Sequence, residues 1–167
     1  RLTQRDTAQY TRDQYVADLQ LAAGGWAPHG RAVHLYLNGL YWGLYRLHER
    51  PDEHFAAAYL GGNSDDYEVI KHSAGTVVHG TGQAYRDLLN LVNGEVQSAD
   101  TFERIQERLD IRSLMDYLLI NYYTGNWDWA HQNWYASCNT RDPLGRWQFH
   151  SWDAEHVMEA LTYNNTG

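Results

Sequence analysis

Asp128 and Asn133 stand with four residues between them in a polar loop, 125–133, that follows a stretch of helical periodicity. In phosphoryl transfer this spacing lets the aspartate orient a substrate hydroxyl and accept its proton, while the asparagine oxygen reaches a metal ion that bridges the phosphates. Asp153 comes one predicted hairpin later, where a carboxylate can hold Mg²⁺. Mg²⁺ prefers oxygen ligands and keeps several waters, so one carboxylate, one amide oxygen and the phosphates suffice. The pattern indicates phosphoryl transfer, with Asp128 for the hydroxyl and Asn133 and Asp153 for the metal.

The same residues also have a plainer interpretation. Aspartate and asparagine occur at this spacing by chance, and Asn-rich loops after helices usually form turns, so Asp128 alone would be taken as a capping residue. The order of helix, Asp-containing loop, hairpin and second aspartate strengthens the catalytic interpretation. Five tryptophans in this region would ordinarily be taken as core residues. They are Trp127, Trp129, Trp134, Trp147 and Trp152.

The elements that must position these residues follow from periodicity and turn signals. The firmest is a hairpin, because alternating residues flank Asn38-Gly39, a pair suited to a two-residue turn. The first half is predicted to contain a helix over 7–23, the hairpin over 33–47, a short helix over 51–60 and a strand over 67–71.

The second half is predicted to be mostly helical before the loop. Asp100 is expected to cap a helix that runs through Leu109, with Glu103 at the capping-box position. The other predicted elements are a helix from 81 to a stop at 94, a helix from 111 to a stop at 125, and strands over 134–137 and 147–151.

Composition limits the classes of protein that need to be considered. The chain has 167 residues, 43% of them apolar, which suits one domain with a real core. A formal charge of −8 without any Lys/Arg run disfavours a nucleic-acid partner. No apolar stretch has membrane-spanning length, and the lone Cys138 leaves the redox compartment open. The chain begins without Met or a leader pattern and ends without a helix stop, so we expect a piece of something longer.

Nine histidines raise the alternative of a His-ligated metal site. Their spacing shows no H-E-x-x-H or similar motif, which disfavours this alternative.

Four sequence blocks, taken together and in order, resemble a known family. They are the hairpin 33–45 with its trailing Glu49, the strand 67–71, the loop residues 125–128 and the block 145–153. The chain resembles the spore coat protein H (CotH) kinase family. In that family the hairpin typically reads V-x-L-Y-I-N-G-x-Y-x-G-x-Y, and the block before the metal-binding Asp reads G-K-W-x-F-x-P-W-D. The resemblance covers about residues 1–158.

The resemblance implies an α+β, atypical protein-kinase-like fold with two lobes, truncated on its C-terminal side. Residues 1–75 would form the first lobe, with the hairpin, short helix and strand, and residues 76–167 the helical lobe with the catalytic loop and metal-binding hairpin. The implied activity is transfer of the ATP γ-phosphoryl group to Ser or Thr of a protein substrate, such as a coat or surface protein, with Mg²⁺ or Mn²⁺. The implied location is the spore coat, the cell surface or outside the cell. The oligomeric state and the activity of this length of chain stay open.

The resemblance also implies roles for residues outside the loop. Lys71 would reach the nucleotide phosphates, with Glu49 as the carboxylate that places it and Glu53 as the alternative. Trp147 would offer an aromatic face to adenine. Without the family, Lys71 would be taken as an edge-strand cation that discourages aggregation, and Glu49 as an ordinary helix N-terminal acid.

Two departures and one rival function accompany the resemblance. Ser151 stands where the family commonly has Pro, and Glu155 where many members have a second Asp, which keeps the charge on a longer side chain. The Ser151 change removes no reacting group, whereas the extra methylene of Glu155 is expected to shift the geometry of a bound metal. The rival is a non-catalytic extracellular binding or adhesion module on the same fold, because aromatic-rich loops suit sugar or protein recognition.

Overall fold

A computed structural model describes residues 10–94 and 98–159 of the chain. This part contains both helices and antiparallel strands, so the predicted α+β class is confirmed. The first residues of the helix predicted over 7–23 lie outside the described residues. The elements in chain order are α1 (Arg12–Ala22), β1 (Gly30–Leu37), β2 (Leu40–His48), α2 (Glu53–Leu60), β3 (Tyr67–Lys71), β4 (Ser73–His79), α3 (Gln83–Val92), α4 (Ala99–Gln106), α5 (Ile111–Tyr123), β5 (Trp134–Asn139) and β6 (Gln148–Ser151), with a 3₁₀ turn over Ser64–Asp66.

The predicted hairpin is confirmed as a separate two-stranded sheet of β1 and β2. Leu37 pairs with Leu40 across a turn in which Asn38 and Gly39 have φ values of 49° and 80°. Positive φ at both positions is what a tight turn between twisted strands requires, and Asn and Gly tolerate it best. No residue of either strand is fully buried.

The larger sheet has four antiparallel strands in the order β4-β3-β5-β6. It joins strands from both predicted lobes, because β3 of the first half pairs with β5 of the second. The division into two lobes at residue 75 stays a prediction. Strand β4 was not predicted, because its start, Ser73-Ala74-Gly75-Thr76, offers no apolar alternation.

Buried side chains form a main core between this sheet and the helices. Its members are Ile70, Tyr85, Leu88, Ile105, Leu109, Tyr117, Trp134, Ala136, Cys138 and Trp147. A second cluster packs α1 against α5 and the chain after β6. It consists of Val16, Ile120, Ala154 and Val157. Trp129 of the loop after α5 packs against the main core, and Ala154 and Val157 of the segment after β6 belong to the second cluster.

Two predicted helix starts were wrong by a few residues. The N-cap of α4 is Ser98 rather than Asp100, because the Ser98 hydroxyl accepts a hydrogen bond from the Thr101 amide at 3.1 Å. The N-cap of α2 is Asp52, so Pro51 lies before the helix and not in its first turn. None of the helices in the described part of the chain is long and apolar enough to cross a membrane.

Candidate active site

Three strand ends meet at one edge of the four-stranded sheet. Lys71, the last residue of β3, pairs with Tyr135 near the start of β5, and β6 pairs antiparallel on the other side of β5. Because β5 runs against both neighbours, the residues that follow β3 and β6 come to the same edge as those that precede β5. The fold thereby gathers Lys71, Asn133 and Asp153, which are far apart in the sequence.

The Asp128 carboxylate is held by its own loop. Gln132 Nε2 donates to Asp128 Oδ1 at 2.6 Å, Asn133 Nδ2 donates to Oδ2 at 3.0 Å, and His131 Nε2 lies 3.5 Å from Oδ1. The Asp128 side chain is 21% exposed to solvent. Since a carboxylate offers about four acceptor positions, a substrate hydroxyl can still donate to it. The structure therefore brings Asp128 and Asn133 into direct contact.

Asn133 has the orientation that a metal ligand requires. Its Nδ2 must face Asp128, because the main-chain oxygen and Oδ2 of Asp128, at 3.1 and 3.0 Å, can only accept. The Asn133 amide donates to His72 Nδ1 at 2.9 Å, and a φ of 62° turns the chain from the loop into β5. In the described part of the chain, no donor reaches Asn133 Oδ1. This oxygen is available to a cation.

Asp153 follows β6 after Trp152 and is solvent-exposed. Partial burial of its carboxyl group raises the pKa of Asp153, and the carboxylates of Glu155, Asp13 and Asp128 raise it further, while His156 lowers it. Asp128 is thus one of the carboxylates that repel the ionised form of Asp153. Repulsion among these carboxylates favours a cation between them.

The donors at this edge suit a metal that arrives with phosphates. Within residues 10–94 and 98–159, no three or more His, Cys, Asp and Glu side chains form a group that could hold a metal ion. The predicted ligands are of another kind, because Asn133 and Asp153 supply one amide oxygen and one carboxylate and leave other positions to phosphate oxygens and water. Oxygen donors are those that Mg²⁺ and Mn²⁺ favour. The residues present therefore fit a metal ion bound together with a nucleotide.

The Lys71 ammonium group lies over two aromatic rings. Nζ is 5.5 Å from the ring centroid of Tyr135 and 5.9 Å from that of Trp152. Cation–π contacts at these distances orient the ammonium group without neutralising it. The Lys71 ammonium group thus lies at the same edge as Asn133, where it can bind an anion.

Glu49 and Glu53 both lie outside ion-pair distance of Lys71. The Glu49 carboxylate accepts from the Tyr59 hydroxyl at 2.5 Å and from the His29 amide at 2.9 Å. Partial burial alone would raise the pKa of Glu49, but these hydrogen bonds lower it overall. Glu53 lies 3.6 Å from its neighbour His54. No ion pair with Lys71 is present among the described residues. The role of Glu49 or Glu53 as the carboxylate that orients Lys71 therefore stays a prediction.

Trp147 does not lie with Lys71, Asn133 and Asp153 at the sheet edge. Its side chain is 1% exposed and packs against the Tyr85 ring with centroids 4.9 Å apart. Its main chain bridges to Leu109, which ties the start of β6 to the segment between α4 and α5. This placement is that of a core residue, and the adenine-binding role of Trp147 stays a prediction.

Sequence reasoning missed three residues that hold the site. His72 accepts the Asn133 amide, as described above. Gln20 and Asp13 of α1 bind the segment around Asp153. The one available signal was the pair of polar residues, Asp13 and Gln20, on the helix face that also carries the buried Val16 and Ala17.

The sequence was compared with protein-family models and with curated proteins. A family model described as CotH kinase protein matches residues 4–166, nearly the whole chain. A comparison with curated proteins gave no match.

Proposed function

The chain belongs to the CotH kinase protein family, and from this premise we propose that it transfers the γ-phosphoryl group of ATP to a Ser or Thr hydroxyl of a protein substrate. The observation that carries the proposal is the convergence of Asp128, Asn133, Asp153 and Lys71 at one sheet edge. A turn or a cap would explain any one of these residues alone. Neither would explain why four residues suited to phosphoryl transfer lie together.

Asp128 is proposed to position the nucleophile. Its carboxylate, oriented by Gln132 and Asn133, accepts a hydrogen bond from the substrate hydroxyl and takes its proton as the hydroxyl oxygen bonds to the γ-phosphorus. The bond from the γ-phosphorus to the β–γ bridging oxygen breaks, and ADP leaves with that oxygen. Catalysis of this kind consists mainly of positioning and electrostatic stabilisation.

Lys71, Asn133 and Asp153 are proposed to hold the phosphates. Bound between Asn133 and Asp153, Mg²⁺ or Mn²⁺ would neutralise negative charge on the phosphate oxygens. Lys71 is oriented by Tyr135 and Trp152 to bind a phosphate oxygen on the same side. Asn133 Nδ2 meanwhile keeps the Asp128 carboxylate in place, so one side chain orients the acid and binds the metal.

Replacement of Asp128 by asparagine tests the proposal. We expect Asp128→Asn to bind ATP with Mg²⁺ as the wild type does and to transfer phosphate at least about 100-fold more slowly, because the proton acceptor is gone. The assay follows labelled phosphate from ATP onto a Ser/Thr peptide library. Asp100→Asn removes the same charge at an exposed position of α4 and should keep wild-type transfer. Absence of transfer by the wild type, or equal transfer by Asp128→Asn, would refute the proposal.

Replacement of Asp153 by asparagine tests the metal role. We expect the first loss in Asp153→Asn to be metal-dependent nucleotide binding, because a carboxylate ligand is removed while Lys71 remains. Calorimetric titration with ATP, with and without Mg²⁺, measures this loss. If ATP affinity is indifferent to Mg²⁺ in both proteins, Asp153 has no metal role.

A second candidate function is a non-catalytic binding module. Large side chains at the tip of the hairpin favour it, since Leu40 is 70%, Trp42 59% and Tyr41 55% exposed. Exposed aromatic residues are common where proteins recognise sugars or other proteins. Thermal shifts with ATP and Mg²⁺, compared with shifts from an oligosaccharide panel, distinguish the two functions.

A further inference from the structure

Helix α1 fastens the segment that carries Asp153 at two points. Gln20, which is 1% exposed, donates from Nε2 to the Phe149 carbonyl at 2.6 Å and accepts at Oε1 from the Ser151 amide at 2.9 Å. Asp13 Oδ1 accepts from the Ala154 amide at 2.9 Å. Asp13 and Gln20 are seven residues apart, about two helical turns or roughly 10 Å, so they lie on the same helix face. One rigid element therefore holds the chain on both sides of Trp152-Asp153.

The backbone at Asp153 needs such support. Asp153 has a φ of 54°, in the left-handed region, which is unfavourable for a residue with a Cβ atom. Conformations of this kind persist where the surroundings hold them, and they cluster at functional sites. The Ala154 amide is the first main-chain donor after Asp153. A hydrogen bond at that amide restricts rotation of the main chain beside Asp153, and with it the direction of the Asp153 carboxyl group.

We propose that Asp13 is a positioning residue for Asp153, acting through the Ala154 amide to set the direction of the metal-binding carboxylate. The inference rests on the function proposed above for Asp153. Asp13 itself touches neither metal nor substrate in this role. A purely structural role does not account for its position, because Gln20 already anchors β6 and the cluster of Val16, Ile120, Ala154 and Val157 already packs α1 against the segment.

The charge of Asp13 makes the role testable. A carboxylate at this position repels Asp153 and contributes to its raised pKa, whereas an asparagine would accept the same hydrogen bond without the charge. Asp13→Asn therefore keeps the contact and removes the charge. Asp13→Glu keeps the charge and displaces the acceptor by one methylene group, and Asp13→Ala removes both.

The experiment has two readouts on the full chain and its variants. Hydrogen exchange of the Ala154 amide reports the contact, independently of any nucleotide. The Mg²⁺ concentration that half-saturates binding of a fluorescent ATP analogue reports the positioning of Asp153. Asp18→Ala is the matched control, because Asp18 is an exposed acid of the same helix whose side chain accepts from Gln14 at 2.8 Å. Circular dichroism establishes that each variant is folded.

We expect Asp13→Ala to lose protection of the Ala154 amide and to need at least about tenfold more Mg²⁺, the usual cost of losing a group that orients a metal ligand. Asp13→Glu should shift in the same direction by a smaller factor, which keeps the test decisive if Asp13→Ala does not fold. Asp13→Asn should keep the protection and stay within about threefold of the wild type. Asp18→Ala should match the wild type in both readouts.

Three results would overturn the inference, and they differ from one another. Unchanged protection in Asp13→Ala would show that the contact does not hold the segment. Lost protection with an unchanged Mg²⁺ requirement would show a contact without a positioning role. A wild type whose nucleotide binding ignores Mg²⁺ would remove the proposed function of Asp153 and this inference with it.

Discussion

Acidification should destabilise the fold through one buried histidine of β6. His150 is fully buried, and its Nδ1 must carry a proton because it lies 2.8 Å from the Trp26 carbonyl, which only accepts. Its Nε2 therefore accepts from the Ser137 hydroxyl at 2.7 Å. Burial lowers the pKa of His150 from 6.5 to about 4, and the hydrogen bond to Trp26 opposes this only in part. The imidazole stays neutral in the folded protein while it titrates normally in the unfolded chain.

The sign and size of the effect follow from these two pKa values. As the pH falls below 6.5, the His150 side chain becomes protonated in the unfolded chain, whereas in the folded protein it stays neutral down to about pH 4. The free energy of unfolding therefore decreases between these two pH values. Between pH 7.5 and 5.0 the loss from this one group is about 2 kcal/mol, since each pKa unit corresponds to about 1.36 kcal/mol. This is a sizeable part of the roughly 5–15 kcal/mol that stabilises most domains.

Urea unfolding at pH 7.5 and at pH 5.0 measures this loss. His150→Asn should be less stable at both values and should lose about 2 kcal/mol less than the wild type between them, because its side chain does not titrate. His54→Asn removes an exposed histidine, 76% exposed at its side chain, and should keep the wild-type pH dependence. Equal pH dependence in His150→Asn and the wild type would refute the assignment of a neutral buried imidazole.

Two further predictions concern the loop and the core. Ala130→Gly should raise the free energy of unfolding by about 1 kcal/mol in the same urea assay, because Ala130 is exposed and its φ of 73° is unfavourable for any residue with a Cβ atom. An unchanged or lower free energy of unfolding would contradict this prediction. Burial raises the pKa of Cys138 to about 12, so its thiol should react with a disulfide reagent at neutral pH only after unfolding, and rapid reaction of the folded protein would contradict its buried position.

Local patterns predicted most of the elements because their determinants lie within a few residues. The Asn38-Gly39 turn and the strand Tyr67–Lys71 were predicted from adjacent residues and are present as expected. The α4 cap shows the limit, since Ser98 and Asp100 are both good capping residues and only the hydrogen bond to Thr101 decides between them. β4 was missed for a related reason, because the first half of this edge strand consists of small residues and pairing with β3 stabilises it.

In the candidate site too, some features depend on neighbouring residues and others on contacts between distant parts of the chain. The spacing of Asp128 and Asn133 is local, and their direct contact could be anticipated from it. The approach of Lys71 to the loop depends on the pairing of β3 with β5, which no local pattern specifies. The hydrogen bond from the Ala154 amide to Asp13 spans 141 residues of sequence. Trp147 could have been a core residue or an exposed ring on sequence alone, and the packing of Tyr85 decides its placement.

Backbone strain supports the location of the site independently of residue chemistry. Six non-glycine residues in the described part of the chain have positive φ, and Asn38 among them belongs to the hairpin turn. Of the other five, His72 directly follows β3, Asn133 directly precedes β5 and Asp153 lies two residues after β6, while Ala130 lies in the loop before β5 and Met158 lies farther along the chain. A loop needed only for connection would be expected to place glycine at such positions. Strain at His72, Asn133 and Asp153, which are the proposed metal ligands and one residue that supports them, is what a site selected for geometry over stability would show.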